Sequence, residues 1–258
     1  MRHPSTAPVR VLHVTDPHLF AGPDEQLRGV NTRESLQAVL DHARASEWPA
    51  ELVALTGDLI QDDSREAYAR VREMFGSMQL PTYCVPGNHD VRTFMREELR
   101  DSPFHYCAVS THGNWVMIGI DSCLEGKALG HVAANELQRL SDALGETAVD
   151  HALVCLHHPP LPVGSAWLDT VGLDNPQDFL QTVASSGKVR AVIFGHVHQA
   201  FDGRYEGIEI IGTPSTCRQF AMYSDEFALD DQPPAYRRIE LNPDGSIHHE
   251  LIWVNDGP

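Results

Sequence analysis

Short apolar runs alternate with amphipathic segments between residues 9 and 200. "VRVLHVTD" (9–16), "ELVALTGD" (51–58) and "PTYCVPGNHD" (81–90) are predicted to contain strands. "NWVMIGID" (114–121), "HALVCLHHPP" (151–160) and "VRAVIFGHVH" (189–198) are predicted to contain three more. Continuous apolar runs of this length are typical of strands that are buried on both faces of a mainly parallel sheet. The pattern therefore predicts an α/β fold.

Helical periodicity fills the intervals between these runs. Asn31 and Glu34 fit a capping box, and Ser64 is predicted to cap a second helix. The first helix has the apolar stripe Leu36, Val39, Leu40 and Ala43. The second is predicted to place four side chains on one face: Tyr68, Val71, Phe75 and Met78. Two more helices are predicted, one through Leu137, Leu140 and Leu144, and one over residues 176–186.

The pattern changes after Gly207 to short strands with tight turns. "NPDG" (242–245) lies between two strand-like runs and predicts a β-hairpin. Neither a linker nor an internal repeat interrupts the chain. We therefore expect one domain over residues 1–258, with a core at about 9–200 and a β-rich C-terminal part at about 207–254.

Composition narrows the function classes. A formal net charge of −17 lacks the basic surface that a nucleic-acid polymer or an anionic membrane requires, so neither is expected as a partner. Neither an apolar run of membrane-spanning length nor an apolar leader is visible, which predicts a cytoplasmic protein. The five cysteines form no CxxC pair and are interpreted as reduced thiols.

Polar residues follow five of the predicted strands, at the point where each strand ends. Because the carboxyl ends of strands form the ligand crevice of open α/β sheets, these side chains are expected to meet at one rim. The candidates for metal binding are Asp16, His18, Asp58, Asn88, His157, His196 and His198. His196 and His198 are two positions apart at a strand end, so their side chains point to the same side.

The candidate residues suggest a particular class of metal. Carboxylates and imidazoles without thiolates suit Mn, Fe, Zn, Co or Ni. Each residue also has an ordinary structural explanation, because a lone histidine or a "GD" pair at a strand end is common. Their joint occurrence after successive strands favours the metal site. Seven ligands are too many for one catalytic cation and suit two cations that share a carboxylate.

The motifs D-x-H (Asp16–His18), GD (Asp58), GNHD (residues 87–90), His157 and GHxH (residues 195–198) resemble those of the calcineurin-like metallophosphoesterase superfamily. The longer stretches "DPHLF", "GVNTRES", "HHPPLPVGSAWLD" and "GTPSTCRQF" resemble the bacterial class III 3',5'-cyclic-AMP phosphodiesterases. The resemblance covers nearly the whole chain. It implies a four-layer α/β/β/α sandwich with a dinuclear site at the strand ends.

The resemblance also implies roles for individual residues. One cation would be held by Asp16, His18, Asp58 and His198. The other would be held by Asp58, Asn88, His157 and His196, with Asp58 bridging. Fe²⁺ or Mn²⁺ is favoured, and Zn²⁺ or Co²⁺ is an alternative. His89 would protonate the leaving oxygen, and Asp90 would orient His89. The substrate would contact His18, Asp58, Asn88, His89 and His198.

The implied reaction is hydrolysis of 3',5'-cyclic AMP to 5'-AMP by water that the two metals activate. One alternative is another phosphodiesterase or phosphomonoesterase, acting on glycerophosphodiesters, sugar nucleotides or 2',3'-cyclic nucleotides. A binding scaffold without chemistry is a second alternative, although no ligand is missing. Trp167 either stacks on a purine or packs within a loop, and Arg28 lies in a loop that would cover the site. The oligomeric state stays open.

Overall fold

The computed structural model describes residues 7–255 and contains two six-stranded sheets with helices outside them. In chain order the strands are β1 (Val9–Val14), β2 (Gln26–Leu27), β3 (Val30–Asn31), β4 (Leu52–Leu55), β5 (Thr82–Cys84), β6 (Phe104–Tyr106), β7 (Val109–His112), β8 (Trp115–Gly119), β9 (His151–Cys155), β10 (Val189–Phe194), β11 (Phe201–Tyr205), β12 (Ile208–Gly212), β13 (Gln219–Phe220), β14 (Leu229–Asp230), β15 (Ala235–Leu241) and β16 (Ile247–Trp253). The helices are α1 (Thr32–Ala45), α2 (Arg65–Gly76), α3 (Arg92–Glu98), α4 (Ala134–Glu146), α5 (Ala166–Asp169) and α6 (Pro176–Ser185).

Each large sheet has a parallel centre and antiparallel additions. The first sheet has the order β16-β15-β1-β4-β5-β6, in which β1, β4, β5 and β6 are parallel. The second has the order β11-β12-β10-β9-β8-β7, in which β12, β10, β9 and β8 are parallel. The strands that end in the candidate ligands are therefore neighbours: β1, β4 and β5 in one sheet, and β10 and β9 in the other.

Three apolar layers hold the sandwich together. Leu36 and Val71 belong to a core between the first sheet and its helices, and Leu140 and Phe179 belong to the equivalent core of the second sheet. A third cluster, which includes Trp115, lies between the two sheets. Alternate side chains of one strand point to opposite faces, so a strand with both faces covered is apolar throughout. The predicted four-layer α/β/β/α architecture is confirmed.

Local sequence signals explain where the first two helices begin. The Asn31 side chain accepts hydrogen bonds from the amides of Arg33 and Glu34 at the start of α1. Ser64 Oγ accepts from the amide of Ala67 at 3.1 Å, which confirms the second predicted cap. The prediction that Met78 lies on the second helix is wrong, because α2 ends at Gly76. Met78 still packs against the core from the turn that follows.

The C-terminal part is divided between the two large sheets. β12 extends the second sheet beside β10, whereas β15 crosses over to pair antiparallel with β1 in the first. The predicted hairpin is present, since β15 and β16 pair in register on either side of residues 242–246, where Gly245 has a φ of +89°. No helix within residues 7–255 is both long and apolar enough to cross a membrane.

Candidate metal centre

The two sheets deliver all seven predicted ligands to one end of the sandwich. Loops after β1, β4 and β5 carry the side chains from the first sheet: Asp16, His18, Asp58 and Asn88. Loops after β9 and β10 carry those from the second: His157, His196 and His198. Backbone hydrogen bonds continue the pairing beyond the strands, since the His18 amide donates to the Asp58 carbonyl at 3.0 Å. The predicted rim at the carboxyl ends of the strands is present.

The first group of potential ligand atoms surrounds His198. Its Nε2 lies 3.1 Å from Nε2 of His18 and 3.4 Å from Oδ1 of Asp16. His18 Nε2 is also 3.8 Å from Oδ2 of Asp58. Atoms of Asp16, His18 and His198 thus lie close enough together to share one cation.

The second group surrounds His157. Its Nε2 lies 3.2 Å from Oδ1 of Asn88, 3.2 Å from Nδ1 of His196 and 3.4 Å from Oδ2 of Asp58. The same oxygen of Asp58 therefore faces both groups. This is the arrangement that a bridging carboxylate requires.

Two of the imidazoles bond to backbone carbonyls through Nδ1. These hydrogen bonds determine which ring nitrogen faces the centre. Nδ1 of His157 donates to the carbonyl oxygen of Thr56 at 2.7 Å, and Nδ1 of His198 donates to that of Arg218 at 2.5 Å. A neutral imidazole with its proton on Nδ1 has a lone pair on Nε2. Both Nε2 atoms therefore point into the centre as metal-binding lone pairs, a common outer arrangement for histidine ligands.

The two carboxylates are also oriented by donors outside the centre. Oδ2 of Asp16 accepts from the Thr15 hydroxyl at 2.6 Å and from the His196 amide at 3.0 Å. Oδ1 of Asp58 accepts from the His89 amide at 2.8 Å. Oδ2 of Asp58 faces the imidazoles, as does Oδ1 of Asp16, which also lies 3.2 Å from the His196 amide.

This donor set suits positive charge. The lone pair of His157 Nε2 faces carboxylate and amide oxygens of Asp58 and Asn88, and that of His198 faces a carboxylate oxygen of Asp16. Lone pairs that face each other in a buried site repel unless a proton or a cation lies between them. The residues present therefore fit a pair of cations with nitrogen and oxygen ligands.

The electrostatics of the centre favour the protonation states that bind metal. Burial opposes ionisation of Asp58, but His157 and His18 hold its pKa well below the usual range. Burial lowers the pKa of His18 to about 4 and that of His196 to about 3. His157 differs: burial lowers its pKa, but the Asp58 carboxylate, together with Asp16 and the Thr56 carbonyl, outweighs burial and raises the pKa to about 9. A cation at that position would displace the proton.

Backbone strain is concentrated at the same residues. Asp16, His18, Asp58, His196 and His198 all have φ between 46° and 68°, the left-handed region that non-glycine residues rarely adopt. Such conformations cost about 1–3 kcal/mol each and cluster at functional sites. The fold keeps this strain because the turns direct successive side chains to one point.

His158 belongs to the support of the centre, although it lies near His157 and His196. Its Nδ1 is 2.9 Å from the Ser122 hydroxyl, and its Nε2 is 3.2 Å from the Ala128 carbonyl oxygen. Both ring nitrogens are therefore engaged. The sequence motif alone does not distinguish the two adjacent histidines.

A cleft of about 260 Å³ opens above the centre, close to the lower end of the usual size range of ligand pockets of about 300–1,000 Å³. His89 lines it beside the metal groups, and its ring centroid is 5.0 Å from that of His18. The sequence analysis missed Gln61, whose Nε2 lies 3.3 Å from Nδ1 of His89. Its only sequence signal is its place three residues after Asp58.

Residues 9–200 match the family model described as calcineurin-like phosphoesterase. The chain belongs to the calcineurin-like phosphoesterase family. The resemblance noted in the sequence is thereby confirmed. Together with the clustered histidines and aspartates, membership of this family implies a dinuclear metal site in this calcineurin-like phosphoesterase.

Several relatives of this calcineurin-like phosphoesterase are similar over nearly their whole length. The chain is 37% identical over 251 residues to the 3',5'-cyclic adenosine monophosphate phosphodiesterase CpdA of Escherichia coli K12, which covers 97% of this chain and 91% of the relative. It is 36% identical over 244 residues to the CpdA of Haemophilus influenzae, covering 94% and 89%. Among solved structures, a dimetal phosphatase from Danio rerio superposes with a TM-score of 0.67 at 15% identity, covering 96% and 100%, a likeness that concerns the fold.

Proposed function

We propose that this calcineurin-like phosphoesterase hydrolyses 3',5'-cyclic AMP to 5'-AMP. The observation that carries the proposal is the position of Asp58, whose Oδ2 faces both His18 and His157 and so offers one carboxylate to two cations. The similarity to cyclic-AMP phosphodiesterases over nearly the whole chain supports the choice of substrate.

We assign the seven side chains to two cation positions. Asp16, His18 and His198 would complete one position with Asp58, and Asn88, His157 and His196 would complete the other. Nitrogen and carboxylate ligands suit Fe²⁺ or Mn²⁺, with Zn²⁺ or Co²⁺ as alternatives. When bound, two such cations supply positive charge at the phosphoryl oxygens and make water acidic near neutral pH.

His89 is assigned the proton transfer to the leaving 3'-oxygen. Its backbone amide donates a hydrogen bond to Asp58, and its Nδ1 accepts one from the side-chain amide of Gln61. Nε2 is therefore the ring nitrogen that is left for the substrate. A correctly placed acid contributes about 10²–10⁴-fold to the rate. Asn88, the neighbouring residue, would place its side-chain amide next to the phosphoryl group from the same loop.

Net charge and cysteine chemistry bear on the class of substrate and on the compartment of the protein. The negative net charge of −17 supports a small-molecule substrate and opposes a nucleic-acid polymer. All five cysteines are free thiols, which a reducing compartment such as the cytoplasm favours. The cytoplasmic location and the single-domain organisation stay predictions.

Product analysis tests the proposal. The protein is stripped with a chelator, reloaded separately with Mn²⁺, Fe²⁺, Zn²⁺ or Co²⁺, and incubated with cyclic AMP, cyclic GMP or a glycerophosphodiester. We expect cyclic AMP to yield 5'-AMP with at least one of these metals, and no turnover after chelation. The Asp58→Ala variant is the control. Equal or faster hydrolysis of the glycerophosphodiester would contradict the substrate assignment.

A further inference from the structure

We propose that the apolar wall of the cleft, centred on Trp167, binds the nucleobase of the substrate. The inference rests on the proposed function, which it extends from the phosphodiester to the group attached to it. We define the base wall as six residues that line the cleft: Leu27, Ala128, Trp167, Leu168, Val171 and Phe220.

The cleft has two chemically different sides. Its floor is polar and includes His89 and five of the candidate ligands: His18, Asp58, Asn88, His196 and His198. The base wall is apolar and lines the same cavity. A phosphodiester needs only the polar floor, whereas an apolar wall gains free energy only if the substrate carries apolar surface as well. A purine has two flat apolar faces, and a glycerol group has none.

Trp167 is connected to the metal centre through one intervening ring. Its centroid is 5.2 Å from that of Phe220, with the rings edge to face at 69°. Phe220 in turn stacks on the imidazole of His198, with centroids 4.3 Å apart and planes at 8°. Phe227 makes a second edge contact with Trp167 at 5.3 Å. The Trp167 ring is therefore held at a fixed distance from the reacting centre.

Hydrogen bonds fix the short helix that carries Trp167. The buried side chain of Gln199, next to His198, donates to the Ser165 hydroxyl at 3.1 Å and to the Ala221 carbonyl at 2.9 Å. The Asp169 carboxylate accepts from the amide of Val163 at 2.6 Å. A preformed wall of this kind binds a flat ring without first paying to order its own side chains.

Arg28 closes the open edge of the wall. It lies in the turn of the β2–β3 hairpin, lines the cleft, and places its guanidinium 4.7 Å from the ring centroid of Phe227. The hairpin and the segment around Phe227 thus meet across the mouth of the cleft. A base that binds at Trp167 would therefore share the cleft with the Arg28 guanidinium.

The test compares substrates with and without a base. Trp167→Ala is assayed on cyclic AMP and on a ribose 3',5'-cyclic phosphate that has a methoxy group in place of adenine. Loss of one base–aromatic stack is expected to lower kcat/KM for cyclic AMP by at least about tenfold. The base-free substrate should be unaffected. Trp48→Ala, which removes a half-buried tryptophan bonded to Glu240 far from the cleft, is the matched control.

A binding measurement makes the result independent of turnover. Calorimetric titration of the metal-loaded protein with 5'-AMP and with ribose 5-phosphate should show a tighter complex with 5'-AMP, by at least about tenfold. Trp167→Ala should remove that difference. Trp167→Phe keeps the ring packing and should retain part of it, which covers the case in which the alanine variant does not fold.

The outcomes separate the two proposals. If Trp167→Ala and Trp48→Ala lower kcat/KM on cyclic AMP equally, or both substrates are affected equally, the base wall is contradicted. If the wild-type protein hydrolyses neither cyclic phosphate, the proposed function is contradicted. The titrations with 5'-AMP and ribose 5-phosphate still test whether the base wall binds a nucleobase. Equal affinity of the wild-type protein for 5'-AMP and ribose 5-phosphate would by itself contradict the proposal that the base wall binds the nucleobase.

Discussion

Asp58 and His89 are joined by a hydrogen bond of 2.8 Å, in which the His89 amide donates to Oδ1 of the Asp58 carboxylate. The other oxygen of Asp58 faces both groups of imidazoles. One side chain therefore links the proposed cation positions to the loop that carries the proposed acid. The geometry couples the placement of His89 to the occupancy of the centre, because a carboxylate that turns toward a cation moves or strains this bond.

Replacing Asp58 by Asn tests this shared role. The variant keeps the shape of the side chain but removes the negative charge and one oxygen acceptor. Even outer partners of a metal site contribute about 10–100-fold to affinity or activity, so we expect turnover to fall by more than about 10²-fold. Metal analysis of the dialysed protein should show at most one cation per chain. Two tightly held cations would contradict the bridging assignment.

His89→Ala separates proton transfer from metal binding. His89 lines the cleft close to His18 and Asp58, but neither of the cation positions that we propose uses its ring. We expect the variant to retain its metal content and to lose about 10²–10⁴-fold in kcat on cyclic AMP. His105→Ala, on strand β6 and stacked on Tyr83, is the control. A substrate with a good leaving group, such as a p-nitrophenyl phosphodiester, should lose much less activity, because it needs no protonation.

The strand ends could be predicted from the sequence because apolar runs and polar termini coincide there. Asp16 and His196 each follow a run whose side chains are buried on both faces, which fixes both the strand and its end. The placement of seven ligands at one rim followed from parallel connectivity alone. Asn31 and Ser64 carried an equally local signal for helix starts.

Other elements could not be predicted, since their stability comes from tertiary contacts. Helix α3 begins at Arg92, and its N-cap residue, Val91, makes no side-chain hydrogen bond to it. Strand β6 has only three residues and pairs with β5. The β2–β3 hairpin has only two residues in each strand, and its turn contacts Phe227 through Arg28. The role of Gln61 follows from its distance to His89, which no spacing in the sequence encodes. Met78 continued the helical pattern, yet the chain turns two residues earlier.

Gly87→Ala should disable the centre without altering any ligand. A Cβ atom at this position would overlap the backbone nitrogen and Oδ1 of Asp58, so the carboxylate or the loop must move. We expect a loss of about 1–3 kcal/mol in the free energy of unfolding. Metal affinity should fall by at least about tenfold. Gly76→Ala is the matched control, since a Cβ there meets nothing within 4 Å and α2 should become slightly more stable.

Tyr68→Phe probes the support of the loop that carries His89. The buried Tyr68 hydroxyl donates to Oδ1 of Asp90 at 2.9 Å and accepts from the Val91 amide at 2.9 Å. Asp90 also accepts from the Gly87 amide at 2.8 Å. Removing the hydroxyl leaves the half-buried Val91 amide without this acceptor and the half-buried Asp90 carboxylate without this donor, which costs about 1–3 kcal/mol. We expect a lower melting temperature and a lower kcat, with little change in KM.

Tyr83→Phe is the matched control for that substitution. Its hydroxyl lies 2.8 Å from the Ser110 hydroxyl in a half-buried position away from the cleft. Water can replace the lost partner there, so we expect less than about 1 kcal/mol of destabilisation and unchanged kcat. Equal effects of the two substitutions on kcat would contradict a positioning role for Tyr68.

The buried side chain of His13 is expected to cause part of the loss of folding stability at acid pH. It is fully buried between the two sheets, and its ring nitrogens lie 2.8 Å from the hydroxyls of Thr56 and Thr213. Burial, and then the charge of Arg237, lowers the pKa of His13 to about 3. Unfolding restores the ordinary value of about 6.5. Below pH 6.5 the unfolded chain therefore binds a proton here that the folded chain rejects, and stability falls toward pH 3.

His13→Gln removes this titration while keeping a side chain that can reach the two hydroxyls. The variant is expected to be less stable than the wild type at pH 8, because it loses the packing of the imidazole. At this pH His13 of the wild type is neutral in both the folded and the unfolded state, so titration does not contribute to the difference. Between pH 6 and pH 4 its free energy of unfolding should fall less steeply than that of the wild type, by up to about 1.4 kcal/mol per pH unit. Urea unfolding of both proteins in chelator at several pH values measures the difference. Parallel curves across this range would show that His13 is charged in the folded state.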